Sequence, residues 1–298
     1  FSSSIPSQLG NSTRLQHLDL SSNNFTGRLP LGLGNLYRLS YLSLYDNSLT
    51  GTLPRSLFSI PALHTVYLNT NRLTGTIPSN VGNASELVSL WLYGNHLSGT
   101  IPPSIANCTS LQELYLGDNQ LVGSLPDALA SLEHSVYFDV SSNMLEGNVP
   151  FVSGNCKEMD TFVFSFNNFT GSIPPALGNC SSLTQFAAVS CALTDPIPPS
   201  FAQPGNLMNL YLSNNRLSGE IPQELGRCAS LVDLRIEENQ LVGQIPVELE
   251  KLSQLQSLIL YTNHLTGEIP LGIWKFQSLQ ILLVYQNNLS VDIPIEII

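Results

Sequence analysis

One period governs the chain. Counting from Asn23 in steps of 24 residues gives Asn47, Asn71, Asn95, Asn119, Asn143, Asn167, Cys191, Asn215, Asn239, Asn263 and Asn287. Proline keeps the same step from Pro6 through Pro294, with no insertion or deletion between them. A domain with one closed core places no such demand on its sequence. A stack of equivalent coils does, because each coil must present the same face to its neighbours.

Taking the asparagine as position zero, apolar residues recur at −8, −5, −3, +2, +6, +10 and +13, and glycine is usual at +4. One coil reads Leu87, Leu90, Leu92, Asn95, Leu97, Gly99, Ile101, Pro102, Ile105, Cys108. This is the L-x-x-L-x-L-x-x-N/C-x-L pattern of leucine-rich repeats. The L-x-L segment has period two, so its leucines face inward and the residues between them face out, as a short strand requires. A coil this small cannot bury its own leucines, and stacking makes one continuous core. The asparagine side chain is placed to bond backbone groups of a tight turn that would otherwise be left unpaired. A thiol at Cys191 does so only weakly. Proline at +7 sits where the chain leaves the ladder and an N–H can be spared. Glycine at +4 implies a positive φ or a close approach between coils.

The expected architecture is an α/β repeat solenoid. Its strands form one parallel sheet on a concave face, about 4.8 Å apart, and the convex face carries short 3₁₀ turns and loops. Residues 1–298 read as a single domain of about twelve repeats without a linker. Both ends fall inside a repeat and no polar cap is visible, so a piece of a longer solenoid is expected.

Composition narrows the partner. Charged residues make up 11% of the chain, 22 acidic against 11 basic, for a net charge of −11. That balance argues against nucleic acid, which is bound through lysine and arginine, and favours a cationic partner. No apolar run approaches the roughly 20 residues of a membrane helix, and no basic segment followed by an apolar one opens the chain as a signal peptide would.

Cys108, Cys156, Cys180 and Cys228 share the inward position +13. They read first as buried apolar fillers, although Cys156 and Cys180 on adjacent coils could form a bridge. No cysteine or histidine spacing suits zinc, and no metal or cofactor site is expected. Glycan acceptors of the form N-x-S/T occur at Asn11, Asn24, Asn83, Asn107, Asn168, Asn179 and Asn288. Asn83, Asn107 and Asn179 share position +12, away from the sheet, which favours a secreted chain.

The full pattern, L-x-x-L-x-L-x-x-N-x-L-x-G-x-I-P-x-x-L-G-x-L, resembles the plant-specific class of these repeats over the entire chain. Several runs resemble the receptor kinases that bind plant elicitor peptides: Ser56–Pro61, Gly171–Leu183, and Gly272–Leu279 leading to Leu283–Asn288. The resemblance implies the extracellular part of a single-pass plasma-membrane protein in defence signalling. It implies a Ser/Thr kinase outside this chain, a co-receptor kinase of the somatic-embryogenesis type, and Lys- and Arg-rich peptide ligands along the concave sheet. The Arg-x-Arg pair with which related receptors read a peptide's carboxylate is missing, since Arg235 is followed by Ile236 and Glu237.

Positions −6, −4, −2, −1 and +1 point out of the concave face. Tyr41, Tyr45, Tyr67, Tyr93, Tyr115, Tyr137, Tyr211, Tyr261 and Tyr285 all fall there, with Trp91. Tyr67, Trp91 and Tyr115 share position −4 on successive coils and should form an aromatic ladder with rings about 5 Å apart. Asp46, Glu113, Asp118, Asp139, Asp233, Glu237 and Glu238 accompany them, against Arg72, Arg216 and Arg235. Aromatic faces beside carboxylates suit a lysine or arginine ligand. The competing reading is that tyrosines only tile a sheet poor in charge. Ile259, Ile281 and Leu283 beside Tyr261 and Tyr285 form a second expected contact patch, for a partner or for a continuing stack. No hydrolase, P-loop, metalloprotease or dinucleotide motif is present, and His17, His96 and His264 stand too far apart to cooperate. The chain therefore reads as a ligand-binding module and not an enzyme. Its expected ligand contacts are Tyr45, Asp46, Tyr67, Trp91, Tyr93, Glu113, Tyr115, Asp118, Tyr261 and Tyr285. A secreted inhibitor of the polygalacturonase-inhibitor kind is the alternative, although an oligogalacturonide would favour concave cations.

Overall fold

The computed structural model describes residues 3–149, 156–203 and 205–290. Two compact units divide it, Phe1–Glu146 and Gly147–Ile298.

In the first unit the L-x-L segments form the strands His17–Asp19, Tyr41–Ser43, Thr65–Tyr67, Ser89–Trp91, Glu113–Tyr115 and Tyr137–Asp139. All pair in parallel with the repeat's own register: Leu42 lies between Leu18 and Val66, and Leu90 between Val66 and Leu114. The central residue of every strand is buried, as are Leu44, Leu68, Leu92, Leu116 and Val140 in the next inward column. Each buried leucine contributes about 1.5–3 kcal/mol before chain entropy is subtracted. On the other side of each coil a proline introduces a 3₁₀ turn, as Pro30 does for Leu31–Asn35 and Pro102 for Pro103–Asn107. There the proline's fixed φ suits the entry and its missing N–H has no ladder to serve.

The asparagines stitch each coil to the one before. Asn95 donates through Nδ2 to the carbonyls of Leu92 and Leu68, each at 3.0 Å, and Tyr93 at 3.4 Å. Its Oδ1 accepts the N–H of Leu73 at 3.0 Å. The residue preceding each such asparagine is left-handed, with φ from 47° at Ser22 to 65° at Gly94. That conformation costs an L-residue about 1–2 kcal/mol, and the bonds made by the following asparagine offset it.

A second parallel ladder was not expected. Thr26–Arg28, Ser48–Gly51, Arg72–Gly75, His96–Gly99 and Gln120–Ser124 pair in order beside the first sheet. Glycine at +4 makes it possible: Gly75 has φ 77°, and a Cβ there would lie 2.7 Å from Thr52 Cγ2.

The second unit repeats the plan. Thr161–Val163, Gln185–Ala187, Asn209–Tyr211, Asp233–Arg235, Ser257–Ile259 and Ile281–Leu283 pair in parallel. Its second ladder is thinner, and between Pro196 and Thr266 it consists of single bridges. The core here is aromatic. Phe164 packs 4.2 Å from Phe162 and 5.5 Å from Phe169, and Phe186 packs 5.1 Å from Phe201. Phe164 precedes Ala188 in one inward column, so a large side chain stands beside the small one. Asp195, in the usual glycine position, keeps a left-handed φ of 65°.

Two sequence expectations are corrected in this unit. Cys156 and Cys180 are not separate fillers but a disulfide, with Cα atoms 4.8 Å apart, because the parallel register sets equal positions of adjacent coils face to face. Cys108 and Cys228 do fill the core, and burial pushes each thiol up to about 11. Ile259 is also not part of an exposed patch: it is 7% exposed, flanked by Arg235 on one side and Leu283 on the other. Ile281, Leu283 and Tyr285 are exposed as expected.

The Cys191 thiol makes long contacts, 3.7 Å to the carbonyls of Phe164 and Val189, where the neighbouring asparagines bond at about 3 Å. Cys191→Asn restores the amide that every neighbouring coil uses. It is expected to stabilise the fold by about 1 kcal/mol, seen as a higher urea midpoint. A lower midpoint would mean that the coil has reshaped itself around sulfur.

Candidate functional site

On the inner sheet of the first unit the outward residues of the strands form one continuous aromatic run. His17 stacks on Tyr41 at 5.7 Å, Tyr41 meets Tyr67 edge-on at 5.8 Å, and Tyr67 lies 4.2 Å from Trp91. Trp91 meets Tyr115 at 5.3 Å, and Tyr115 stacks on Tyr137 at 6.4 Å. The run is twice as long as the three-ring ladder expected from position −4. It steps sideways, because its outer members occupy position −6. Tyr93 joins from position −2, 6.3 Å from both Trp91 and Tyr115.

Apart from His17, which is exposed, these rings are half-buried, packed on their strand neighbours while part of each stays open. Trp91 is also fixed at its edge, where its Nε1 donates to Glu113 Oε2 at 3.0 Å. Burial, aided by the Glu113 charge, raises the pKa of Tyr67 and keeps its phenol neutral. Glu113 is thus a support for the rings more than a free charge.

A cavity of about 370 Å³ opens beside this cluster, lined by Trp91, Tyr93, Tyr115, Gly117, Asp118, Asp139 and Ser141. Trp91, Tyr93, Tyr115 and Asp118 were expected as contacts and are brought together here. Tyr67 and Glu113 support Trp91 without lining the cavity. Tyr45, half-buried, and Asp46, exposed, stand on an earlier coil outside it. Gly117, Asp139 and Ser141 are lining residues that the expected contacts omit. In the sequence Asp139 is one acid among several at outward positions. Gly117 carried a signal of its own, since its column holds Tyr45, Asn69 and Tyr93 on the three preceding coils.

In the second unit Tyr261 and Tyr285 stack face to face at 4.6 Å and 4°. Asp233 is no free carboxylate. Arg235 Nη2 and Nε donate to it at 2.8–3.0 Å, Tyr211 donates its hydroxyl at 3.2 Å, and the Arg235 guanidinium lies 5.2 Å over the Tyr211 ring. Glu237 is 8% exposed, and its burial raises its pKa. All seven glycan acceptors, Asn11, Asn24, Asn83, Asn107, Asn168, Asn179 and Asn288, are exposed.

The class of protein follows from these coils and their relatives. The Leucine Rich Repeat model matches residues 14–36, 38–60, 86–108, 110–132, 159–180 and 206–228. The crystal structure of PEPR1–AtPEP1 shares 54% identity over 99% of this chain and 42% of that one, with a TM-score of 0.97. The Arabidopsis receptor kinase HAESA, in complex with the peptide hormone IDA and the co-receptor SERK1, is 33% identical over 99% of this chain and 54% of its own, at 0.85. A leucine-rich repeat protein of Leptospira interrogans, LIC12759, is 30% identical over 96% of this chain and 70% of its own, at 0.80. No curated protein matches the sequence. The chain belongs to the leucine-rich repeat family, in the class formed by the ectodomains of plant receptor kinases. It spans about half or less of the length of those receptor ectodomains.

Proposed function

We propose that this chain is a peptide-binding segment of a plant receptor kinase that faces the outside of the cell. Its ligand is an extended basic peptide, laid across the inner sheet of the first unit. The observation that carries this reading is the half-buried aromatic run with carboxylates at its side, from Tyr41 to Tyr137. Rings held in place by their neighbours lose little entropy when a partner covers them, and rigid aromatics with a polar handle are the usual anchors of interfaces. An extended peptide suits the sheet because successive strands meet successive side chains at similar spacing. PEPR1 and HAESA were solved with AtPEP1 and IDA respectively, which supports a peptide ligand. The SERK1 in the HAESA complex supports a co-receptor kinase of the somatic-embryogenesis type as second partner, and a defence role follows if the ligand is of the elicitor class.

Calorimetric titration of the chain with AtPEP1 tests the reading. Saturable binding is expected, and Trp91→Ala should weaken it by about 2 kcal/mol, roughly thirty-fold, with the fold retained by circular dichroism. Equal affinity in the folded variant would remove Trp91 from the interface. Failure of the unsubstituted chain to bind AtPEP1 or IDA would overturn the peptide reading.

A further inference from the structure

We propose that the cavity over Gly117 is a seat for a single arginine side chain of the ligand. The proposal rests on the reading of this sheet as a peptide groove and specifies one residue class at one place in it.

Gly117 does not take up a left-handed φ, so its backbone does not call for glycine. What it supplies is room. A Cβ there would stand 3.1 Å from Ser141 Oγ and 3.3 Å from Asp139 Oδ1, both tighter than ordinary contact, and any longer side chain would fill the opening. The volume left, about 370 Å³, is many times the roughly 30 Å³ that one water occupies in the liquid.

The lining is chosen for one charge type. Trp91, Tyr93 and Tyr115 supply three π faces, and Asp118 and Asp139 supply two carboxylates. The lining contains no cationic side chain. Asp139 is already oriented, since its Oδ1 accepts the N–H of Ser141 at 2.8 Å. A cation placed here gains both ring and carboxylate attraction. The planar guanidinium suits the seat better than an ammonium, because it stacks on a ring while its N–H fork bonds a carboxylate at the edge. Elsewhere in the same chain Arg235 does this, lying over Tyr211 while bonding Asp233.

The chain carries its own reporter. Its two tryptophans are Trp91 and Trp274, so Trp274→Phe leaves Trp91 as the sole indole. Nα-acetyl-arginine methylamide is titrated into that variant and followed by Trp91 fluorescence, against the capped lysine and the capped citrulline, the neutral isostere of arginine. A saturable change is expected for arginine, at least about ten-fold tighter than for citrulline and tighter than for lysine. Asp118→Asn combined with Asp139→Asn should erase that preference, and Gly117→Leu should abolish the signal. Because leucine at 117 could disturb the coil, the paired asparagine variant stands as the independent check. Arginine and citrulline binding alike, lysine matching arginine, or no saturable change with any probe would overturn the seat. The two readings fail separately. AtPEP1 bound equally by the parent chain and by folded Gly117→Leu would remove the seat and leave the groove. Arginine discrimination without any peptide binding would remove the groove and leave the seat.

Discussion

Asn95→Ala is expected to lower the unfolding free energy by about 3–5 kcal/mol, a loss out of proportion to the three heavy atoms removed. The amide of Asn95 serves four backbone groups. It takes the N–H of Leu73 and gives to the carbonyls of Leu68, Leu92 and Tyr93. Asn95 itself is 5% exposed, and water does not replace it. An orphaned buried N–H costs about 1–3 kcal/mol, and each of the two 3.0 Å carbonyl bonds about 1 kcal/mol more, the 3.4 Å bond to Tyr93 adding little. The left-handed residue before it, Gly94, would then hold its corner without a partner for the turn. Urea denaturation followed by circular dichroism reads the effect. Asn95→Cys, which imitates the natural Cys191, should fall between parent and alanine variant. A loss under 1 kcal/mol in the alanine variant would show that the asparagine column is incidental to stability.

Removal of the Cys156–Cys180 bridge by paired serine substitution is expected to cost about 3 kcal/mol. The bridge closes a loop across one full repeat, a sequence separation of 24, and a loop of that length in the unfolded chain accounts for about 3 kcal/mol in the chain-entropy picture. Reducing agent should destabilise the parent and leave the serine variant unchanged. Thiol titration in denaturant without reductant should find three free thiols, those of Cys108, Cys191 and Cys228, out of five cysteines. Five would refute the bridge.

Much of the architecture is written in the period. The parallel first sheet, the buried leucine columns and the asparagine column all follow from chemistry repeated at a fixed step, and the structure carries each of them. The second ladder was hidden for a physical reason. Its hydrogen bonds are made by backbone at polar, glycine-containing positions such as Ser48–Gly51, and no alternation of apolar side chains advertises them. The left-handed residue before each asparagine was hidden too, since Ser22, Thr70, Phe166 and Glu238 have nothing in common as side chains. In the candidate site the rings were legible because their column could be counted. The cavity was not, because it is made by something missing, the side chain of Gly117. Ile259 misled because outward-pointing on a strand does not mean uncovered when long side chains stand on both sides.

The asparagine stitches all run the same way. Asn71 holds Leu49 and Leu44, Asn95 holds Leu73 and Leu68, and Asn119 holds Leu97 and Leu92, so each of these amides reaches back to the coil before it. Within either unit, then, a coil is finished only by its successor. Stripping coils from the leading side leaves the remainder with all its clasps, whereas stripping them from the trailing side unfastens the turn next in line. Such a stack should come apart with a direction, like a zip that opens from one end.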